Sequence, residues 1–91
     1  MEINWNEDKN RWLLKNRGVS FEIVLEKIIE GEVIDNIPHP NKKKYPHQFI
    51  FIIKIDRYCY LVPYVTEGDD IFLKTMIPSR QMTKKYKERC I

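Results

Sequence analysis

Three runs in the second half of this chain, QFIFIIKI, YCYLVPYVT and IFLKTMI, leave few options for its fold. Each is dense in β-branched and aromatic residues, and each is divided from the next by a short polar turn, Asp56-Arg57 and then Glu67-Gly68-Asp69-Asp70. Such runs pack well on a pleated surface and join through tight turns, so a three- to four-stranded antiparallel β-meander is expected. Pro63 falls inside the second run. It has no N–H to give to a ladder, so that position must face an open edge or a bulge. Alternation sends Phe49, Phe51, Ile53 and Ile55 to one face and Ile50, Ile52 and Lys54 to the other. In the last run Ile71, Leu73, Thr75 and Ile77 alternate with Phe72, Lys74 and Met76. Both faces are therefore apolar, and each carries large groups that need cover.

The first half supplies cover for one face. Ile3 and Trp5 alternate with polar neighbours as a short strand, and Asn6 before Glu7 and Asp8 reads as a helix cap with acids at the positive end of the helix dipole. A helix is expected over residues 7–16, with Trp12 and Leu13 as its apolar face and a stop at Arg17-Gly18. A second helix opens at Ser20, and its residues Phe21, Val24, Leu25, Ile28 and Ile29 recur at helical spacing until Gly31. This stripe is core packing.

Between the helices and the sheet, NIPHPNKKKYPH (residues 36–47) is proline-punctuated and reads as a loop with a mobile basic arm at Lys42, Lys43, Lys44 and Tyr45. The other face of the sheet is left for a C-terminal helix, a partner chain or a substrate base. That helix begins near Ser79 and carries a thin seam of Met82, Tyr86 and Cys90 among Arg80, Lys84, Lys85, Lys87 and Arg89. Like charges one turn apart repel by a few tenths of a kcal/mol, and a polyanion would offset that repulsion. A solvated terminal helix is the other reading.

With 91 residues the chain supports one domain, residues 1–91, and 43% apolar residues give it a core. Its start, MEINWNEDKN, has neither the basic segment nor the apolar stretch of a secretory signal, and no run is long enough to span a bilayer, so a cytoplasmic protein is expected. Cys59 and Cys90 form no framework and read as free thiols. The net charge of +3 is uneven: residues 1–35 hold eight acids and five bases, and residues 36–91 hold eleven bases and five acids. A basic half attracts phosphates at long range, and the attraction weakens with salt. His39 and His47 share one loop with no third or fourth ligand near them in sequence, so neither a metal nor any other cofactor is expected.

Taken together, INWNEDKN, the GVSFE start of the second helix, the meander and the closing IPSRQMT resemble BrnT-type toxins along nearly the whole chain. The resemblance implies an α+β fold of the RelE/ParE-like toxin kind: a short N-terminal strand, two helices, the meander and a basic C-terminal helix. It also implies the toxin of a type II toxin–antitoxin system, an endoribonuclease that stops translation. Its partners would be RNA, a ribbon-helix-helix antitoxin and, through the antitoxin, operator DNA. Arg80 matches the arginine of the closing motif, Thr83 the hydroxyl residue after it, and Lys84 and Lys85 its basic run. The chain departs from the pattern at Thr75, Pro78 and Gln48, where arginine, a small polar residue and arginine are usual. Either the site is rebuilt around lysine, or the chemistry has been lost.

RNA carries its own nucleophile, the 2′-hydroxyl, so cleavage needs alignment, a proton acceptor, a grip on the extra negative charge and a proton donor, with no obligatory metal. Arg80 suits the phosphate because its planar fork bonds two oxygens. Lys74 would assist, His47 would move a proton, and Tyr86 would stack on a base or donate its hydroxyl. Lys42, Lys43, Lys44, Lys54, Thr83, Lys84, Lys85, Lys87 and Arg89 would hold the backbone. The alternative is an inactive RelE/ParE-like binding protein that works with its antitoxin on DNA or inhibits another enzyme. A small basic adaptor with no nucleic-acid role is a third class. A sheet face left bare would make the chain a homodimer or part of a hetero-oligomer.

Overall fold

The computed structural model describes residues 1–86. Strand β1 (Ile3–Trp5) leads into helices α1 (Glu7–Arg17) and α2 (Phe21–Ile29), and strands β2 (Asp35–Pro38), β3 (Gln48–Ile55), β4 (Tyr58–Glu67), β5 (Asp70–Leu73) and β6 (Ile77–Pro78) precede helix α3 (Arg80–Lys85). The fold is α+β, with one mixed sheet in the order β1-β5-β4-β3-β2 and β6 beside β4.

The meander forms where expected, and its turns explain the sharp reversals. Asp56 and Arg57 both adopt positive φ, 50° and 67°, the mirror-image turn whose twist matches a two-residue hairpin. Beyond the meander the sheet is larger than the expected three or four antiparallel strands. β1 adds in parallel against β5, pairing Ile3 with Ile71 and Trp5 with Leu73. Residues 36–38, expected as loop, belong to edge strand β2, which pairs with β3 and sets Ile37 opposite Ile50. Proline is tolerated there because an edge strand has one side free of ladder bonds, and Pro38 closes the strand. The last run is not one strand either. It breaks at residues 74–76, between β5 and β6, both of which pair with β4. Pro63 lies opposite that break, its carbonyl accepting from the Lys74 N–H at 2.8 Å, so its missing donor falls where the ladder is interrupted.

The two sheet faces are covered differently. On the first, Phe51, Ile53, Val62, Tyr64 and Leu73 pack against Leu13 of α1, Phe21 and Val24 of α2, and Val19 between the two helices. Trp12, expected on that apolar face, is instead 43% exposed, because Leu13 alone on this part of α1 points into the core. Ile29, expected in the α2 stripe, is exposed as well. The start of α2 also differs. Ser20 makes no side-chain cap bond. Buried Asn10 caps in its place, its Oδ1 accepting from the Phe21 N–H at 2.8 Å while its Nδ2 donates to Glu22. By contrast Asn6 caps α1 as expected, accepting from the Lys9 N–H, and Gly18 ends it at φ 67°.

On the second face Ile52 and Cys59 are fully buried beneath Met82 of α3 and Tyr86 at its C-cap, with Leu61, Ile34 and Ile37 around them. The C-terminal helix thus covers one end of that face. Toward the β5 end Phe72 stays 40% exposed, and Ile77 on β6 is 39% exposed. Cys59 is disulfide-bonded, correcting the expectation of a free thiol. Cys90, expected in the seam of the last helix, lies outside the described residues. Among the described residues, no helix is long and apolar enough to cross a membrane.

Candidate nucleic-acid interface

Helix α3 is six residues long and buries none of them completely, so local propensity alone would not hold it. Hydrogen bonds to the sheet do. Ser79 Oγ caps the helix by accepting from the Met82 N–H at 3.1 Å. The Ser79 N–H donates to the carbonyl of Cys59 at 2.9 Å, and the Cys59 N–H donates to Thr83 Oγ1, also at 2.9 Å. Thr83 Oγ1 in turn donates to the Ser79 carbonyl at 2.7 Å. Both main-chain polar groups of a buried strand residue are thereby satisfied by the first turn of α3. Thr83, a candidate for RNA contact in the sequence, is a clamp between helix and sheet. Farther along, the Tyr86 hydroxyl donates to Asp35 Oδ2 at 2.7 Å, tying the end of α3 to β2.

With Met82 and Tyr86 turned to the sheet, the cations take the other side. Arg80, Lys84 and Lys85 are exposed, and among the described residues none forms an ion pair. Lys85 extends its ammonium over the Tyr86 ring, 5.5 Å from the centroid. Lys87 and Arg89, expected to continue this row, lie outside the described residues.

The remaining candidates do not gather around Arg80. His47 is exposed at the other end of the sheet, its carbonyl accepting from the Thr66 N–H. Seven positions of β4 separate Thr66 from Cys59, where α3 is anchored, a span of roughly 23 Å at strand rise. A histidine side chain cannot bridge it. Lys74 is held nearer, by its bond to Pro63, but its ammonium leans over the Phe72 ring at 5.7 Å, toward the β5 end and away from α3. Lys54 shares the face of Ile52 and lies in the field of Glu32. The Glu32 carboxyl is held below its usual range mainly by a hydrogen bond with Glu30, then by Lys27 and more weakly by Lys54; Glu30, which shares that bond, is pushed up.

The loop before β3 is not a free arm. Tyr45 N–H donates to the Asn41 carbonyl at 3.0 Å, Lys44 N–H donates to Asn41 Oδ1 at 3.2 Å, and the His39 and Tyr45 rings pack 4.6 Å apart. Lys42, Lys43 and Lys44 project from a shaped turn, all three exposed. A hollow of about 160 Å³ beside β1 and β5 is lined by Asn4, Val65, Glu67, Asp70, Ile71 and Phe72. None of the cations chosen from sequence lines it, and its two acids make it unsuited to a phosphate. Among the described residues no group of three or more His, Cys, Asp or Glu side chains is placed to hold a metal ion.

The described residues therefore offer a row of cations on α3 and a second group on the 42–44 turn, and among them a proton acceptor, a phosphate grip and a proton donor are not assembled at one point. Sequence reasoning placed Arg80, Lys84 and Lys85 on a helix and Tyr86 in its apolar seam, but missed that Thr83 serves its docking. The hydroxyl of Thr83, four residues after the capping Ser79, is the signal that could have shown it. Searches against family models, curated proteins and solved structures find no match to this chain.

Proposed function

We propose that the protein is an RNA-binding toxin of the BrnT-like, RelE/ParE-like kind, which grips the sugar–phosphate backbone with α3 and works in a pair with a ribbon-helix-helix antitoxin. The observation that carries RNA binding is the division of α3 into two sides. Its hydroxyls and aromatic ring are engaged with the sheet, and Arg80, Lys84 and Lys85 face solvent together without carboxylate partners among the described residues. Three like charges fixed on a rigid short helix concentrate a positive field that a polyanion neutralises, releasing counterions. The 42–44 turn is a separate basic group, at the His47 end of the sheet. The order strand, two helices, meander, basic helix is compatible with the fold the sequence resemblance implies.

Binding has better support than cleavage. Metal-independent attack by a 2′-hydroxyl needs a base within about 3 Å of that proton, and His47 stands too far from Arg80 to act with it on one phosphate. The Tyr86 hydroxyl is already donated to Asp35. The protein is accordingly put forward as a binder of RNA that blocks its use without cleaving it.

The test incubates purified protein with end-labelled single-stranded RNA in the presence of a chelator. A salt-sensitive complex with intact RNA is the expected result. Cleavage that survives chelation would replace the binding reading with a metal-independent nuclease. Failure to bind RNA or DNA even at low salt would remove both, leaving a basic adaptor.

A further inference from the structure

The exposed indole of Trp12 is unexplained by packing. Leu13 already supplies the core contact of this part of α1, and Trp12, though 43% exposed, has cations gathered on it. Lys9 Nζ lies 4.3 Å from the ring centroid and the Arg17 guanidinium 5.0 Å. Lys15 and Asn16 are its neighbours one turn on, and Asp8, on the same side, is paired with Arg11. Leu14, the other exposed apolar residue of α1, is two positions away and so about 200° around the helix. The apolar surface at Trp12 is thus a single ring with the Lys9 and Arg17 cations lying over it.

We infer that the Trp12 face of α1 is a stacking platform for a base of single-stranded RNA, with Lys9 and Arg17 holding the flanking phosphates. Lysine is depleted at the centres of protein interfaces, whereas an exposed aromatic ring attended by flexible cations takes a base on its π-face once those cations move out to the flanking phosphates. The platform lies on the opposite side of the sheet from α3, since Leu13 packs with the first face and Met82 with the second. The two are linked around the β6 edge. Arg17 donates to the carbonyl of Met76, in the segment between β5 and β6 that leads on to Arg80. A strand leaving α3 would pass over that edge to reach Trp12. The choice of RNA as polymer rests on the proposed function; the stacking site itself does not need α3.

The experiment titrates the full chain with a twelve-nucleotide oligouridylate and follows tryptophan emission, comparing the natural protein with Trp12→Phe, Trp12→Ala and Lys9→Gln. Trp12 is on the surface, so these variants fold, which far-UV circular dichroism checks. The expected result is quenching that Trp12→Phe abolishes, an affinity about tenfold weaker in Trp12→Ala and largely restored in Trp12→Phe, and a salt slope reduced by about 0.7 in Lys9→Gln. Binding with full affinity in Trp12→Ala and no quenching would overturn the platform while leaving the α3 reading standing. Quenching that persists in Arg80→Gln/Lys84→Gln/Lys85→Gln with unchanged affinity would overturn the α3 reading and keep the platform. A blue shift with anionic phospholipid vesicles, without a response to the oligonucleotide, would assign the face to a membrane surface and overturn the inference.

Discussion

Replacing Thr83 with valine removes one oxygen and almost no volume, and it tests how α3 is held. In the native protein that oxygen accepts from the Cys59 N–H at 2.9 Å and donates to the Ser79 carbonyl at 2.7 Å, and Cys59 is fully buried. Valine cannot accept, so a buried main-chain donor loses its partner, at a cost of about 2 kcal/mol within the usual range for such a loss. For a domain of this size that lowers the thermal midpoint by roughly 8–16 °C. Thr83→Ser keeps the oxygen and loses a methyl, costing about 0.8 kcal/mol or less. Urea unfolding followed by circular dichroism gives both values, and amide exchange at Cys59 shows whether the loss is local to α3. Valine must be the worse substitution by about 1 kcal/mol, with faster Cys59 exchange in the valine variant than in the serine one. A valine variant as stable as the native protein, with its Cys59 amide still protected, would refute the clamp.

Asn10→Ala should cost about 1–3 kcal/mol in urea unfolding, because it leaves the Phe21 N–H of α2 without its acceptor in a buried site. Arg57→Gly should stabilise the β3–β4 hairpin by about 1 kcal/mol in the same assay, since glycine carries no penalty at φ 67°. Burial raises the Tyr64 phenol above its ordinary value of 10.0, against a smaller lowering by its bond to Asn36. The unfolded chain therefore loses this proton first. Stability should be intact below pH 10 and fall as pH rises from there through the raised folded value, and Tyr64→Phe should flatten that alkaline limb in pH-dependent unfolding.

Much of the architecture is legible in the chain because local and long-range preferences agree there. Asn6, Gly18 and the Asp56-Arg57 turn mark boundaries by side-chain or backbone chemistry that acts within a few residues. β2 was hidden because its sequence, Asp35 to Pro38, has no strand propensity of its own and forms only by lying along the edge of β3. The break between β5 and β6 was hidden for a related reason: Pro63 announces a gap in the ladder, but which neighbour opens depends on the register of β4. At the candidate site, charge was legible and convergence was not. Arg80, Lys84 and Lys85 share a helix, so their grouping follows from spacing. His47 and Lys74 were joined to them across the sheet without knowledge of strand length, and the length of β4 sets His47 apart.

The central claim is that the outward cations of α3 hold RNA by its phosphates, and salt-dependent affinity measures this most directly. Fluorescence anisotropy of a labelled single-stranded RNA, taken across a series of salt concentrations, compares the natural protein with Arg80→Gln/Lys84→Gln/Lys85→Gln. Three lost phosphate contacts should reduce the slope of log affinity against log salt by about 2, with weaker binding to every sequence tried. An unchanged slope and affinity in a folded triple variant would contradict the claim.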